Sequence, residues 1–498
     1  MVTPVVQYAT TINNARETIG EHRQHRADTR QQEHRRDRKL DGVGNGIDLH
    51  EFGHGGGASL GWDAGIVDAA QAARNAWVCV YTRAIYALDL KPRGANAMMI
   101  LDGIRVLDFT QYLAGPTVTR LMAEMGAEII KVELAPGGDP SRGLPFADNG
   151  RSGYFIQQNR GKQSLCLDLR EPAADKILRE LVAKVDVVVE NFGPGVMDKR
   201  QLSYADLKAI KPDIIMASLS AYGRESPLSH KTGYDWAAQA FAGLMHMTGP
   251  AAGPPQPLGI GIADTSSGVH AFSAIGYALF HRGRSGAGQW LDLAMIDCMF
   301  HMQDIALQAH TLSNGAYLPM RSGNHHALLC PFGVFKGPSG YLVILALQPQ
   351  WKNLCAAMDR SDLEHDARFA ASNTRAAHQQ ELIPMIEAWL ATFVDNDAVF
   401  AHLESHRVPS APVLSPIEAL DHPYFTARGT VRRIEDPIMG ALAIPGFPLR
   451  FSAQPELPAL VAPVLGEHNA QVLEGLLGYS AAEVAELTAR GVLQSATR

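Results

Sequence analysis

Beyond about residue 100 the sequence predicts an α/β fold, a parallel sheet covered by helices on both faces. Two observations predict it. Short runs rich in Val, Ile and Leu recur along the chain and alternate with segments of helical character, the pattern of strands joined by crossover helices. At 498 residues with 46% hydrophobic content, the chain is also long enough to bury a large core and divide into two lobes.

Taken in order, residues 104–109 are expected to form a strand, 117–125 a helix and 128–133 the next strand, followed by a Pro/Gly/Asp loop. Residues 164–169 continue as a strand, 173–183 as a helix and 186–190 as a continuous β-branched strand. A helix over Tyr204–Ile210 and a strand over 213–218 repeat the unit. The run Val408-Pro409-Ser410-Ala411-Pro412-Val413 has the composition of a linker crossing between domains. Near the end, Ser480-Ala481-Ala482-Glu483 is a capping box opening a helix over Ala481–Ala489, which stops before Gly491.

The first 97 residues have a different texture. Residues 16–39 are dense in Arg, His, Gln and Glu, and 42–57 are rich in Gly. Such composition buries too little to offset ordering entropy, so this segment is expected to be disordered, a lone solvated helix or an extension foreign to the native start. Met98 or Met99 is a natural start for the folded part. His54-Gly55-Gly56-Gly57 is similar to a hydrolase oxyanion loop, and Gly42-Val43-Gly44-Asn45-Gly46 to a dinucleotide loop. Neither follows a strand, so both are expected to be flexible linker.

Composition narrows the function. A net charge of −7 argues against a general nucleic-acid binder. The five cysteines are scattered, odd in number and without a Cys-x-x-Cys pair, which fits a reducing compartment and offers no metal site. No apolar run approaches the roughly 18 to 20 residues that span a bilayer. The N-terminus lacks the order of a signal peptide. The expectation is a cytoplasmic protein that engages no membrane.

Chemistry-bearing residues concentrate at expected strand ends, where ligands bind in parallel sheets. After the first strand, Gln111-Tyr112-Leu113-Ala114-Gly115-Pro116 leaves backbone N–H groups open at a helix start, a place for a phosphate or a developing oxyanion. Asn159-Arg160-Gly161-Lys162 precedes the third strand and Arg170 follows it. Asn191-Phe192-Gly193-Pro194-Gly195 ends the next strand, with Lys199 and Arg200 a turn later. Recurrent cations beside an aromatic that can stack on a base point to a polyanionic ligand, although each cation singly reads as a solvated surface charge. Asp264 stands in Gly261-Ile262-Ala263-Asp264-Thr265-Ser266-Ser267-Gly268, before an Ala-rich apolar run. It can cap the helix that follows, or stand open among small neighbours as a nucleophile.

With these motifs the chain resembles the class III CoA-transferases, the family of formyl-CoA transferase that also holds the α-methylacyl-CoA racemases. The carrying segments are Leu101-Asp102-Gly103-Ile104-Arg105-Val106-Leu107-Asp108, Gly126-Ala127-Glu128-Ile129-Ile130-Lys131-Val132-Glu133 and Asn159-Arg160-Gly161-Lys162. Asp186-Val187-Val188-Val189-Glu190-Asn191-Phe192, Gly286-Ala287-Gly288-Gln289 and Leu465-Gly466-Glu467-His468 complete them. The resemblance covers residues 101–493 and leaves the first hundred unexplained.

It implies a doubly wound CoA-binding domain built from both ends of the folded chain (98–320 and 421–498), a small domain between them (321–420), and an interlocked homodimer. It implies acyl-CoA and a carboxylate acceptor as substrates, coenzyme A only as a substrate, and no metal or permanently bound cofactor. Asp264 matches the family's catalytic Asp. Ala114 would turn a backbone N–H toward the acyl oxygen. Leu113, Leu167, Arg170, Asn191, Phe192 and Lys199 match CoA-contacting positions, with Lys231 a looser match.

Two departures bear on the branch. The racemases place a His before an Asp; here the motif is Gly233-Tyr234-Asp235, and an unperturbed Tyr has no pKa near the working pH for α-proton exchange. Asp235 is then structural or a second carboxylate. The glycine-rich lid of formyl-CoA transferase has as its counterpart Arg321-Ser322-Gly323-Asn324-His325-His326, in which Gly323 and Asn324 suit substrate contact and His325 or His326 can meet an acceptor carboxylate. The altered loop argues for a carboxylate pair larger than oxalate and formate. The expected function is acyl-CoA:carboxylate CoA transfer; the alternatives are a racemase or isomerase on the same ligand, and a non-catalytic CoA-binding protein.

Overall fold

The computed structural model describes residues 98–144, 146–148, 151–454 and 458–496; the expectations for 1–97 lie outside the described residues. Six strands form the central sheet: β1 (Arg105–Asp108), β2 (Glu128–Leu134), β3 (Lys162–Leu167), β4 (Val187–Glu190), β5 (Ile215–Ser220) and β6 (Trp290–Ala294). Their order is β3-β2-β1-β4-β5-β6 and every pairing is parallel, with Leu107 set between Ile130 and Val188. The expected α/β class with a parallel sheet is what forms.

Side-chain alternation assigns the two faces. Leu107, Ile130, Leu165, Val188 and Met216 point to one core, together with Ile177, Leu178 and Leu181 of a helix over Pro172–Val182. Val106, Ile129, Val187, Val189 and Ala217 point to the other, against Val118 and Met122 of helix α1 (Ala114–Glu124). Because both faces are buried, apolar residues fall on successive positions rather than alternating strictly, as in Val106-Leu107 and Val187-Val188-Val189. Helix α1 begins three residues ahead of expectation. Pro116 does not stop it, since a proline within the first turn forgoes only an N–H that has no intrahelical partner.

A long helix, Ile262–Ser285, lies on α1. A Cβ at Gly268 would lie 2.7 Å from the Ala114 carbonyl oxygen and 2.8 Å from Thr117 Cβ. Only glycine lets these two backbones approach so closely.

The smaller lobe has a three-stranded antiparallel sheet of β7 (Phe332–Gly337), β8 (Gly340–Leu345) and β9 (Ser410–Pro412), in the order β9-β8-β7. Its core gathers Phe335, Trp351, Leu354, Phe369, Leu382 and Ile386. The expected linker over residues 408–413 is corrected: Val408 is buried in this core and Ser410–Pro412 pairs with Leu342–Ile344. Pro409 and Pro412 gave the segment its linker composition. They are tolerated because β9 is an edge strand, where a missing N–H breaks no second ladder.

The last stretch of the chain returns to the large sheet and covers its edge strand β3. His468 N–H donates to Ser164 O at 3.0 Å, Cys166 N–H to Asn469 Oδ1 at 2.9 Å and Asp168 N–H to Val492 O at 2.9 Å. Val484 and Leu487, on the helix Ala481–Ala489, join the core of the large sheet. The capping box forms as expected, Glu483 N–H donating to Ser480 Oγ and Ser480 N–H to Glu483 Oε2.

Candidate active site

The strand order reverses between β1 and β4, so their connections leave in opposite directions and open a crevice at the carboxyl edge of the sheet. The loops bounding it are latched together. Gln111 N–H donates to Asn191 Oδ1 at 2.8 Å, and Asn191 Nδ2 donates back to Gln111 O at 2.9 Å. Phe109 and Phe192 pack with ring centroids 6.3 Å apart. Arg224 reaches across, donating to Glu190 at 2.9 Å and to Phe192 O at 2.7 Å.

A cavity of about 230 Å³ occupies this crevice. Its walls include Leu113, Ala114, Asn191, Phe192 and Lys231, and Asp264 forms part of its floor. Tyr234 and Met295 also line it. A larger cleft of about 540 Å³ opens on the other side of Gly193 and Pro194, bounded by Tyr204, Arg224, His230 and Trp290. The motif Gly193-Pro194-Gly195 supplies one wall of that second cleft, but the sequence did not reveal the cleft itself, because its other walls come from separate stretches of chain.

The local fold around Asp264 overturns one sequence reading. Helix α2 (Ile262–Ser285) has Gly261 at its N-cap, and Asp264 sits inside the first turn rather than before it. The capping acceptor is Asp235, whose Oδ1 takes the N–H of Ala263 at 2.6 Å and of Asp264 at 3.1 Å. Its Oδ2 accepts from Gln239 Nε2 at 2.5 Å. Asp235 therefore has a structural task, satisfying helix N–H groups that have no intrahelical partner and complementing the dipole. The Asp264 carboxylate makes no hydrogen bond among the described residues and faces the cavity. A Cβ at Gly261 would come 2.8 Å from Leu113 Cδ2 and 3.8 Å from each of Asp264 Oδ2 and Asp235 Oδ1, so the space beside both carboxylates depends on this glycine.

Burial pushes the Asp264 carboxyl up to about 7, with the neighbouring Asp235 charge adding to the shift. Tyr154, which no motif singled out, belongs to the same environment. Burial and the charges of Asp264, Asp139 and Asp235 raise its phenol to about 12. A lone Tyr in a polar stretch carries no spacing signal, so only the folded chain could reveal it.

Opposite Asp264 stands the start of α1, where Leu113 is the N-cap without a side-chain acceptor. Its first-turn N–H groups, Ala114 and Gly115 among them, are oriented by the helix and have no intrahelical partner. The arrangement sets a carboxylate with raised proton affinity against backbone donors suited to a developing oxyanion.

Other sequence-predicted residues stand apart from this cavity. Leu167 is fully buried at the end of β3, bridging Leu493. Arg170 is 81% exposed and paired with its neighbour Asp168 at 2.6 Å. Lys199 is exposed on the turn after Gly195. Gly323 and Asn324 are exposed ahead of β7, Gly323 N–H donating to Gly249 O and Asn324 O accepting from Val334 N–H. His325 packs edge-on against Phe335 with centroids 4.8 Å apart, and His326 Nδ1 accepts from Leu328 N–H. Among the described residues no group of three or more His, Cys, Asp or Glu side chains is placed to hold a metal ion, and no helix is long and apolar enough to cross a membrane.

Comparison with known proteins identifies the family. Residues 101–469 match the model of CoA-transferase family III. The chain is 33% identical over 405 residues to mouse succinyl-CoA:glutarate CoA-transferase, covering 80% of this chain and 91% of that protein. It is 37% identical over 390 residues to succinyl-CoA:mesaconate CoA-transferase of Haloarcula hispanica, covering 76% and 96%. With formyl-CoA:oxalate CoA-transferase of Rhodopseudomonas palustris it shares 33% over 416 residues, covering 79% and 97%. A crystal structure of a CAIB/BAIF family protein from Brucella suis superposes with a TM-score of 0.67 at 34% identity, covering 76% of this chain and 99% of that one. The chain belongs to CoA-transferase family III and is a class III CoA-transferase.

Proposed function

We propose that this enzyme moves coenzyme A between carboxylic acids with Asp264 as covalent nucleophile. The observation that carries the reading is Asp264 itself: a half-buried carboxylate without a hydrogen-bond partner, at the switch point of the sheet and across from an uncapped helix N-terminus. The Asp264 carboxylate attacks the thioester carbonyl. A C–O bond forms, the C–S bond breaks, and CoA leaves as thiolate beside an aspartyl anhydride. The thiolate then attacks the Asp264 carboxyl carbon, releasing the donor acid and leaving an aspartyl-CoA thioester. The acceptor carboxylate attacks that thioester, expelling thiolate and forming a second anhydride. Attack of the thiolate on the acceptor's acyl carbon frees Asp264 and yields the new acyl-CoA. Each step needs CoA retained and water excluded, because a carboxylate competes with a thiolate only when the partners are held together.

In this reading Ala114 N–H meets the acyl oxygen, Leu113, Asn191 and Phe192 flank the thioester end, and Lys231 stands on the rim. Leu167, Arg170 and Lys199 serve the more distant parts of CoA, and Gly323 and Asn324 act from the smaller lobe. The relatives named for succinate, glutarate and mesaconate favour a dicarboxylate pair of that size. The enzyme works as a homodimer of interlocked subunits, a state supported by the large apolar side chains exposed on α2, Tyr277 and Phe280 among them. Tyr234 at the racemase histidine position disfavours proton exchange at the α-carbon.

The test supplies succinyl-CoA with glutarate, mesaconate or oxalate and measures acyl-CoA products by mass. Transfer with at least one acceptor is expected, and hydroxylamine should trap an Asp264 hydroxamate. Asp264→Ala should lose transfer by many orders while CoA binding stays within about threefold. Solvent deuterium entering the α-carbon without any acceptor would instead establish the isomerase reading.

A further inference from the structure

Two buried ion pairs lie beneath the turn that carries Ala114. Lys131 Nζ is 2.9 Å from Asp139 Oδ2 and Lys162 Nζ is 3.0 Å from Asp108 Oδ2, with all four side chains no more than 1% exposed. Buried ion pairs are weak evidence for stability, since apolar side chains of similar volume often serve as well. Beside partners elsewhere (Thr119 on Asp108, Ser141 on Asp139 and Asn159 on Lys162), these two pairs hold the turn and the start of α1 at several points. Asp108 Oδ1 accepts from Thr110 N–H at 2.8 Å and from Thr110 Oγ1 at 2.5 Å. Lys131 Nζ donates to Thr110 O at 2.6 Å. Asp139 Oδ1 accepts from Tyr112 N–H at 3.3 Å, and Lys162 Nζ reaches Pro116 O at 3.4 Å.

The residue at the centre of this web is strained. Tyr112 has φ +64°, the left-handed region, which a bulky side chain adopts only when its surroundings over-determine it. That conformation turns the chain from β1 into α1 and brings Leu113 against Gly261 and the Asp264 turn. Burial opposes the charge on Asp139, but Lys131 and the Ser141 N–H overcome it and hold the carboxyl at about 2. Asp139 thus remains an anion throughout the working pH range.

We infer that Asp139 and Lys131 are positioning residues for acyl transfer, holding the Thr110–Ala114 turn in its left-handed form so that Ala114 N–H is fixed opposite Asp264. The inference rests on the transferase reading above. A neutral apolar pair could fill the same space, but it would leave Tyr112 N–H and Thr110 O without directed partners. The turn could then relax by the ångström or so that oriented catalysis does not tolerate.

The test compares Asp139→Asn, which keeps the shape and an acceptor oxygen, with Leu178→Ala, which opens a cavity in the core of the opposite face. Asp139→Asn should lower kcat about 10- to 100-fold with the KM for succinyl-CoA within about threefold, whereas Leu178→Ala should lower Tm and leave kcat in place. An unchanged kcat in Asp139→Asn, or an equal loss in Leu178→Ala, overturns the inference. If Asp139→Asn does not fold, the double variant Lys131→Met with Asp139→Leu carries the test, because an apolar pair leaves no lone buried charge yet removes the partners of Thr110 O and Tyr112 N–H. A kcat loss of about threefold or more at constant KM supports the inference, and unchanged kcat overturns it. A wild-type enzyme that transfers CoA to no acceptor defeats the transferase reading instead, and this inference with it.

Discussion

Asp264 is poised by what surrounds it less than by what is absent. Among the described residues no cation pairs with it and no donor bonds to it, and burial with the Asp235 charge raises its pKa to about 7. Attack requires the carboxylate, so kcat/KM for acyl-CoA should rise with pH and level off above an apparent pKa near 7, read from initial rates between pH 5 and 9. The same shift has a stability consequence. A carboxyl whose folded pKa lies above its ordinary 3.8 binds its proton more tightly when folded, so stability is intact below about pH 4. It declines as pH rises from there and has lost the full amount above about pH 7. Asp264→Asn should therefore leave Tm unchanged near pH 4 and raise it at pH 8, by an amount worth up to about 4 kcal/mol before solvent screening. An active site that gives up stability for reactivity behaves this way.

At the scale of elements, the start of α2 divides two duties between two carboxylates. Asp235, from the start of the helix Asp235–Phe241, accepts the N–H groups of Ala263 and Asp264, which leaves the Asp264 side chain free. Asp235→Asn keeps an acceptor oxygen but removes the charge that raises the Asp264 pKa. The acid limb of kcat/KM should move to lower pH, while Tm falls by the equivalent of about 1 kcal/mol for a weakened helix cap. An acid limb that stays in place or moves upward would rule out this division. From sequence alone both roles were assigned to Asp264, because a lone Asp before an apolar run is a normal cap and Asp235 lies 29 residues away. The small neighbours left Asp264 open as cap or nucleophile, and the resemblance chose the second; the true cap was not legible, since it is brought in by tertiary structure. Tyr154 and the second cleft were hidden for the same reason. By contrast, five of the six strands of the large sheet were legible to within about two residues from their β-branched and apolar runs, whereas Trp290–Ala294 was not read as a strand. The edge strand Ser410–Pro412 was not legible either, as its prolines mimic a linker.

At the scale of the whole molecule, the described surface exposes several large apolar side chains. Tyr277 is 73% exposed, Phe280 64%, Trp236 63% and Leu312 82%, all within chain segments of the large lobe. Tyr277 and Phe280 stand three residues apart on α2, and exposed apolar side chains grouped in this way mark surfaces covered by a partner. In the interlocked dimer proposed above, the covering surface is a second copy, and linked subunits have a property that side-by-side dimers lack. They cannot part without one chain unfolding far enough to release the other. Light scattering should therefore give twice the chain mass at all practical concentrations, and thermal unfolding should depend on protein concentration, since folding and association are one equilibrium. Two differently tagged preparations, mixed under native conditions, should exchange subunits no faster than the protein unfolds. Exchange within minutes at a temperature far below Tm would show subunits that dock without interlocking, and a monomer by light scattering would remove the second copy altogether. Tyr277→Glu with Phe280→Glu sharpens the distinction. Charges placed on an exposed face of a monomer change little, but on a face buried between copies they should abolish accumulation of soluble enzyme rather than release an active monomer.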